Sequence, residues 1–315
     1  MEFILNEKLS EIYKLLNNKS ISSFYNLNLE LKQKIKDFIS TLEKDNEITF
    51  SLLIELDIID LRLAIDDLID FDIKLLPFYS RNSNYVEYLE KRINETTNPF
   101  ILSRYFHLLW LVKKHNKYAV ESIKYYLKAR DISLTEKGEN WALDLLECLK
   151  RSFFIRSIIK KEADSFNIEQ DIICTILTNI NNDWGYCICL RLLDVILLSH
   201  RQFKLFLNYD FLDNLNMYAI KLISSKESYK AINLLQAIIK ISEKMNIDTT
   251  KMYENLGAAN EARINELNKS FAGVSFCLEA IKIYNRLQNN QKVIELKCIY
   301  EEITSTMKFG EIKKR

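Results

Sequence analysis

The 315-residue chain predicts an all-α fold: antiparallel helix pairs stacked as an irregular α-solenoid behind an N-terminal helical bundle. Three observations lead there. Glycine and proline are scarce, five and two in the whole chain, whereas sheet proteins need many tight turns built from them. Apolar residues recur at helical spacing from end to end. The breaks between periodic segments are a few residues long and rich in Asn, Asp, Ser and Lys.

The first helix is expected over residues 2–17, with Ile4, Leu5, Leu9, Ile12, Leu15 and Leu16 on one face. The second runs over 27–44 through Leu27, Leu31, Ile35, Phe38, Ile39 and Leu42. Asn46 to Thr49 caps a third, at about 50–72, which carries Glu55, Asp57, Asp60, Asp66, Asp67, Asp70 and Asp72 against a single Arg62. Its acids from 57 to 70 fall on one arc of a helical wheel and Ile58, Leu61, Ala64, Ile65, Leu68 and Ile69 on the other. Asp60 and Asp67 are thereby candidates for a docking surface facing a basic partner. A divalent-metal site is the other functional reading, although hard cations usually take ligands from loops, and a solvated face is the simplest. Pro77 opens a polar loop, a short helix follows at 85–95, and Asn98-Pro99 breaks the chain again. Both prolines lie in this stretch, which sets the expected boundary between an N-terminal region, 1–97, and a helical array, 98–315.

The array opens with residues 104–129, two helices folded back across His115-Asn116-Lys117. The second carries Ser122, Ile123, Tyr126 and Ala129 at helical spacing. A turn is expected at Leu134 to Gly138 with Thr135 as its cap, then a long helix from Trp141 to Glu162. Pairs follow at 168–181 with 185–199, around Asn181 to Gly185, and at 211–224 with 228–245, joined near Ser225. The last helices are expected at 249–268, 270–288 and 291–308. Ala231-Ile232 with Leu235, and Ala280-Ile281 with Tyr284, repeat in outline the pattern that begins at Ser122.

Leu256-Gly257 and Ala262, followed by Ala280, Ile281 and Tyr284, carry a resemblance. The C-terminal portion resembles tetratricopeptide-type repeats, whose first helix holds Leu-Gly and small residues and whose second holds the Ala-Ile-x-x-Tyr set. It departs from them in a longer first helix, in lacking the closing proline, and in having Tyr253 where the consensus has Trp. Arg104 with Leu109-Trp110, Ala119 to Tyr126, and Tyr253 to Ala262 carry a second resemblance. Over its whole length the chain looks like the N-terminal helical region of a family of uncharacterised bacterial proteins. Longer members continue into a further helical domain, which implies that this chain is a short form or a fragment. Both resemblances imply a fold and neither implies an activity.

Net charge is +1 and the isoelectric point is about 7.5, so nothing global argues for nucleic acid or an anionic surface as partner. No uncharged apolar stretch approaches the roughly 20 residues that span a bilayer, and the charged N-terminus is not a signal peptide. A cytoplasmic protein with no membrane partner is the expectation. Cys148, Cys174, Cys187, Cys189, Cys277 and Cys298 follow no disulfide or zinc spacing and read as reduced, mostly buried thiols. Cys187 and Cys189 stand two apart on a helix, on different faces. No phosphate loop or nucleophile elbow occurs, and no metal or other cofactor is expected.

Arg104, His107 and Trp110 make the densest cluster of functional residue types. A general base needs a partner nearby in space, and Arg104-x-x-His107 lacks the spacing of the helical ribonucleases. A structural role at a helix interface is the reading preferred for His107, and an interaction with a helix end for His200. Lys150, Arg151, Arg156, Lys160 and Lys161 spread around their helix and read as a solvated basic surface over buried Phe153 and Phe154. The expected function is a non-enzymatic, regulatory module that binds a protein or peptide, with Arg104, His107, Trp110, Tyr125, Tyr126, Asp60 and Asp67 as the candidate surface. The alternative is the sensor or regulatory region of a larger bacterial defence or toxin-type effector. A helical nuclease stands third and needs Arg104, His107 and an acid around an open cleft.

Overall fold

The structure is a computed structural model that describes residues 83–136 and 141–312, with residues 7 and 10. The helices expected over 2–17, 27–44 and 50–72, the acidic arc with Asp60 and Asp67, and Pro77 lie outside the described residues. Among those described there are eleven α-helices and no strand, so the fold is all-α. The helices are α1 (Ser83–Glu95), α2 (Pro99–Lys113), α3 (Asn116–Glu136), α4 (Trp141–Ile159), α5 (Ile168–Asn179), α6 (Asp183–Leu198), α7 (Tyr209–Ser224), α8 (Ser228–Lys244), α9 (Thr250–Glu266), α10 (Val274–Arg286) and α11 (Asn290–Ile312). Short 3-10 turns occupy Lys160–Ala163 and Phe271–Gly273.

The chain divides into two compact units. One comprises Met1–Ile172 with Asp183–Ile188, and the other Ile173–Asn182 with Cys189–Arg315. In the first, α1 packs on α2 through Tyr85, Tyr88 and Leu89 against Tyr105, Leu108 and Leu109. Asn98-Pro99, expected as a break, is better described as a start. The Asn98 Oδ1 accepts from the N–H groups of Phe100 at 2.9 Å and Ile101 at 3.3 Å, and Pro99 occupies the first helical position. Lys114, in the left-handed region at φ 54°, ends α2, so the polar break that follows is a two-residue connection. α3 buries Ala119, Ser122, Ile123, Tyr126 and Ala129 and packs against both α2 and α4. Thr135 is no N-cap: it lies inside α3 and its hydroxyl bonds to the Asp131 and Ile132 carbonyls at 3.0 Å. α4 stops at Ile159, where the 3-10 turn takes over.

In the second unit α7, α8, α9, α10 and α11 pack each on the next, and α7 also packs on α9. Four helices end alike. Lys226, Asn246, Asn268 and Gln288 follow α7, α8, α9 and α10 with φ of 61°, 56°, 52° and 56°. After each, the next residue's N–H reaches a carbonyl five residues back: Glu227 to Leu222 at 2.9 Å, Ile247 to Ser242 at 2.9 Å, Lys269 to Ile264 at 3.0 Å and Asn289 to Tyr284 at 2.9 Å. This is the Schellman closure, usually made with glycine. Here Lys, Asn and Gln make it, which is how a chain with five glycines ends so many helices. Gly257 serves close approach instead: a Cβ there would stand 2.7 Å from Cζ of Tyr284. That ring closes a core of Ile264, Cys277, Ala280, Val293, Leu296 and Ile303.

Candidate functional site

α2 is apolar around most of its circumference, yet its inner side carries Ser103, Arg104 and His107, all buried. Arg104 is 1% exposed and His107 4%. The Arg104 guanidinium donates to the carboxylate of Glu147 on α4, itself 6% exposed, and lies over the Phe100 ring at 5.0 Å. An ion pair this deep keeps its strength only because solvent does not screen it, and desolvation of both partners opposes it. Serine bonds hold the helices around the pair. The Ser103 hydroxyl donates to the Phe100 carbonyl at 2.6 Å, and the Ser122 hydroxyl of α3 to the Ser103 carbonyl at 2.8 Å. Cys148, next to Glu147, has its thiol pushed well above the usual range by burial, and the Glu147 and Asp144 carboxylates add to the shift. It is an inert thiol.

Of the residues singled out in the sequence, four are interior. Arg104, His107, Trp110 and Tyr126 are buried, Tyr126 completely, so none offers a face to a partner. The His107 and Trp110 rings pack at 5.8 Å. Tyr125 is half-buried, its ring stacked on Phe106 at 5.5 Å. Asp60 and Asp67 lie outside the described residues. The basic run on α4 is not uniformly solvated: Arg151 is 1% exposed, and Arg156 pairs with the buried Glu169 of α5. Glu147 is the partner that sequence reasoning missed, and it missed the burial of Arg151 as well. Glu147 stands 43 positions from Arg104, and no local pattern marks it as a partner.

The second unit carries polar clusters nearer the surface. The Arg286 guanidinium lies 3.9 Å over the Tyr253 ring and donates to the Tyr253 hydroxyl and, at 3.0 Å, to Glu243. The Tyr253 hydroxyl donates to Glu243 at 2.9 Å. Partial burial and the carboxylate raise that phenol above its usual range, against the pull of Arg286. Glu261 accepts from the Tyr284 hydroxyl and from Lys292 at 2.8 Å. Burial raises the Tyr284 phenol far beyond the ordinary tyrosine range, and Glu261 adds to it. The Asn255 amide donates to Asn216 at 2.9 Å, bridging α9 and α7. Each of these networks ties neighbouring helices together.

Among the described residues no three His, Cys, Asp or Glu side chains stand where they could hold a metal ion. Cys148, Cys189 and Cys277 are buried, Cys187 is half-buried, and Cys174 and Cys298 are exposed. No helix among the described residues is long and apolar enough to cross a membrane.

No curated protein and no solved structure matches the chain. Residues 81–168 match the model of a domain of unknown function (DUF7380), a stretch that takes in α1 to α4 and both partners of the buried Arg104–Glu147 pair.

Proposed function

We propose that the chain is a non-enzymatic helical-repeat protein whose C-terminal helices recognise another protein or a peptide. One observation carries the reading: the four Schellman closures of the second unit keep a common period. Lys226 and Asn268 are 42 residues apart, and so are Asn246 and Gln288. On α8 and α10 buried positions follow the same interval, Leu235, Ile238 and Ile241 being matched by Cys277, Ala280 and Ile283. The packing of α7 on α9 supports the reading too, because contact between the first helices of successive pairs is the relation that stacks pairs into an array. The period is longer than the 34 residues of a tetratricopeptide and falls within the roughly 40–47 of longer helical repeats. Gly257 under Tyr284 supports tetratricopeptide-like packing within that longer unit.

Such arrays bind partners along an extended concave surface. Asn214, Met217 and Lys221 on α7, and Lys251, Glu254 and Ala258 on α9, are exposed one helical turn apart or nearly so. Met217, 49% exposed, is an adaptable apolar contact at their centre. The test is capture of partners from the host on the immobilised full chain, compared with Met217→Glu/Ala258→Arg. A partner retained by the first and lost by the second supports the reading. Identical captured sets overturn this face as the binding surface.

The nuclease reading required Arg104, His107 and an acid around an open cleft. Glu147 supplies the acid, but all three groups are sealed inside their unit.

A further inference from the structure

We infer that the turn between α6 and α7 is a peripheral contact for an anionic lipid surface. Residues 198–209 read LSHRQFKLFLNY. Leu198, the last residue of α6, is 80% exposed, Leu205 is 90% exposed, and Tyr209 is 53% exposed. Single exposed leucines are ordinary on protein surfaces, but three large apolar side chains standing out of one twelve-residue segment are not.

The turn is built to hold them there. Phe203 and Leu207 are buried and anchor it from below. Its backbone closes on itself, with the N–H groups of Phe206 and Leu207 both reaching the Phe203 carbonyl at 2.8 and 3.0 Å, and that of Gln202 reaching Ser199 at 2.9 Å. Asn208 then caps α7, its side chain accepting from the Phe211 N–H at 2.9 Å. With 203 and 207 turned inward, Lys204 and Leu205 between them face out.

Charge sets the class of partner. Arg201 and Lys204 are exposed within the segment, and Lys244, at the end of α8, reaches the same place, its Nζ donating to the Leu197 carbonyl at 3.4 Å. From Val195 to Tyr209 there is no acid, Asp194 and Asp210 flanking the stretch. Apolar tips among cations, with a tyrosine at the margin, match the boundary between acidic headgroups and acyl chains. An acidic protein would satisfy the cations, but two leucines that stand almost free of neighbours would need matching pockets, whereas a fluid interface admits them without any. The contact is peripheral and needs no spanning helix.

The test uses the full chain and sedimentation with vesicles of phosphatidylcholine alone or of equal phosphatidylcholine and phosphatidylglycerol. The chain is expected to sediment with the mixed vesicles, less at high salt, and not with the neutral ones. Leu198→Ser/Leu205→Ser is expected to weaken binding at least about tenfold, and Arg201→Glu/Lys204→Glu to remove the preference for anionic lipid. Circular dichroism checks that each variant is folded; should the leucine variant fail that check, the charge variant decides alone. No sedimentation of the unmodified chain with mixed vesicles overturns the inference, as does binding indifferent to the folded variants. A captured protein lost with the leucine variant, while the unmodified chain ignores vesicles, assigns the turn to protein contact and overturns it too.

Discussion

Removing the Glu147 carboxylate deprives a guanidinium that is 1% exposed of its ion-pair partner. Glu147→Leu is therefore expected to lower stability by about 3–5 kcal/mol, and Arg104→Met by a similar amount. The double variant should recover most of the loss, because an apolar pair of matched volume needs no compensation in the interior. Urea unfolding followed by circular dichroism measures all three, and additive losses would show that the two groups do not act as a pair. The thiols give a second residue-scale expectation. Cys174 and Cys298 should alkylate readily in the folded chain, whereas Cys148, Cys189 and Cys277 should react only on unfolding, as peptide mass spectrometry can read. Little of this was legible in the sequence. Arg104 and His107 stood out by type, and a structural place for His107 followed from the lack of a catalytic spacing. The depth of Arg104 and Arg151 did not, because charged residues are taken as solvated unless a partner is in view, and Glu147 lies two helices away.

At the scale of the element, local chemistry wrote most helix boundaries plainly. Ser225 lies between α7 and α8 and Asn289 directly before α11, much as the pattern predicts, while Asn98-Pro99, expected as a break, caps α2. Thr135 misled because a hydroxyl that can cap a helix can also bond back to carbonyls inside one. The left-handed closures escaped notice because the sequence signal for them is glycine, and this chain uses Lys and Gln. That substitution makes a prediction. Lys226→Gly and Gln288→Gly remove the steric penalty of a Cβ at positive φ, and each should raise stability by about 1 kcal/mol, read as a higher urea midpoint. Glu266 makes another. Desolvation works to raise its carboxyl, but hydrogen bonds from Ser228, at the start of α8, and from Arg263 outweigh it and hold the group below the usual carboxylate range. A depressed acid stabilises the fold above its unfolded value, and that contribution is lost as pH falls through the folded one. Glu266→Gln should accordingly be less stable near neutrality and lose less on acidification, which melting curves from neutral to acid pH would show.

For the whole molecule, an all-α architecture followed from composition and period alone, because scarce glycine and proline leave long helices as the economical solution. The spacing of the helix closures in the second unit did not, since Lys and Gln give no glycine signal there. Its 42-residue interval has a consequence that an irregular bundle does not share. Deleting residues 227–268 removes α8 and α9 and brings Lys226, which closes α7, to the place of Asn268, which closes α9. α10 and α11 then follow α7 as they now follow α9. In an array held by nearest-neighbour contacts, the shortened chain should remain soluble and lose helix only in proportion to the residues removed, with a lower melting temperature from the lost interfaces. In an irregular bundle the same deletion strips the partners from α7 and α10 at once, exposing Leu215, Leu222, Cys277 and Ala280, and the product should aggregate or lose helix well beyond the deleted segment. Circular dichroism with size-exclusion chromatography separates the two outcomes, and deletions of 21 residues, which would place a first helix where a second belongs, supply the out-of-register control.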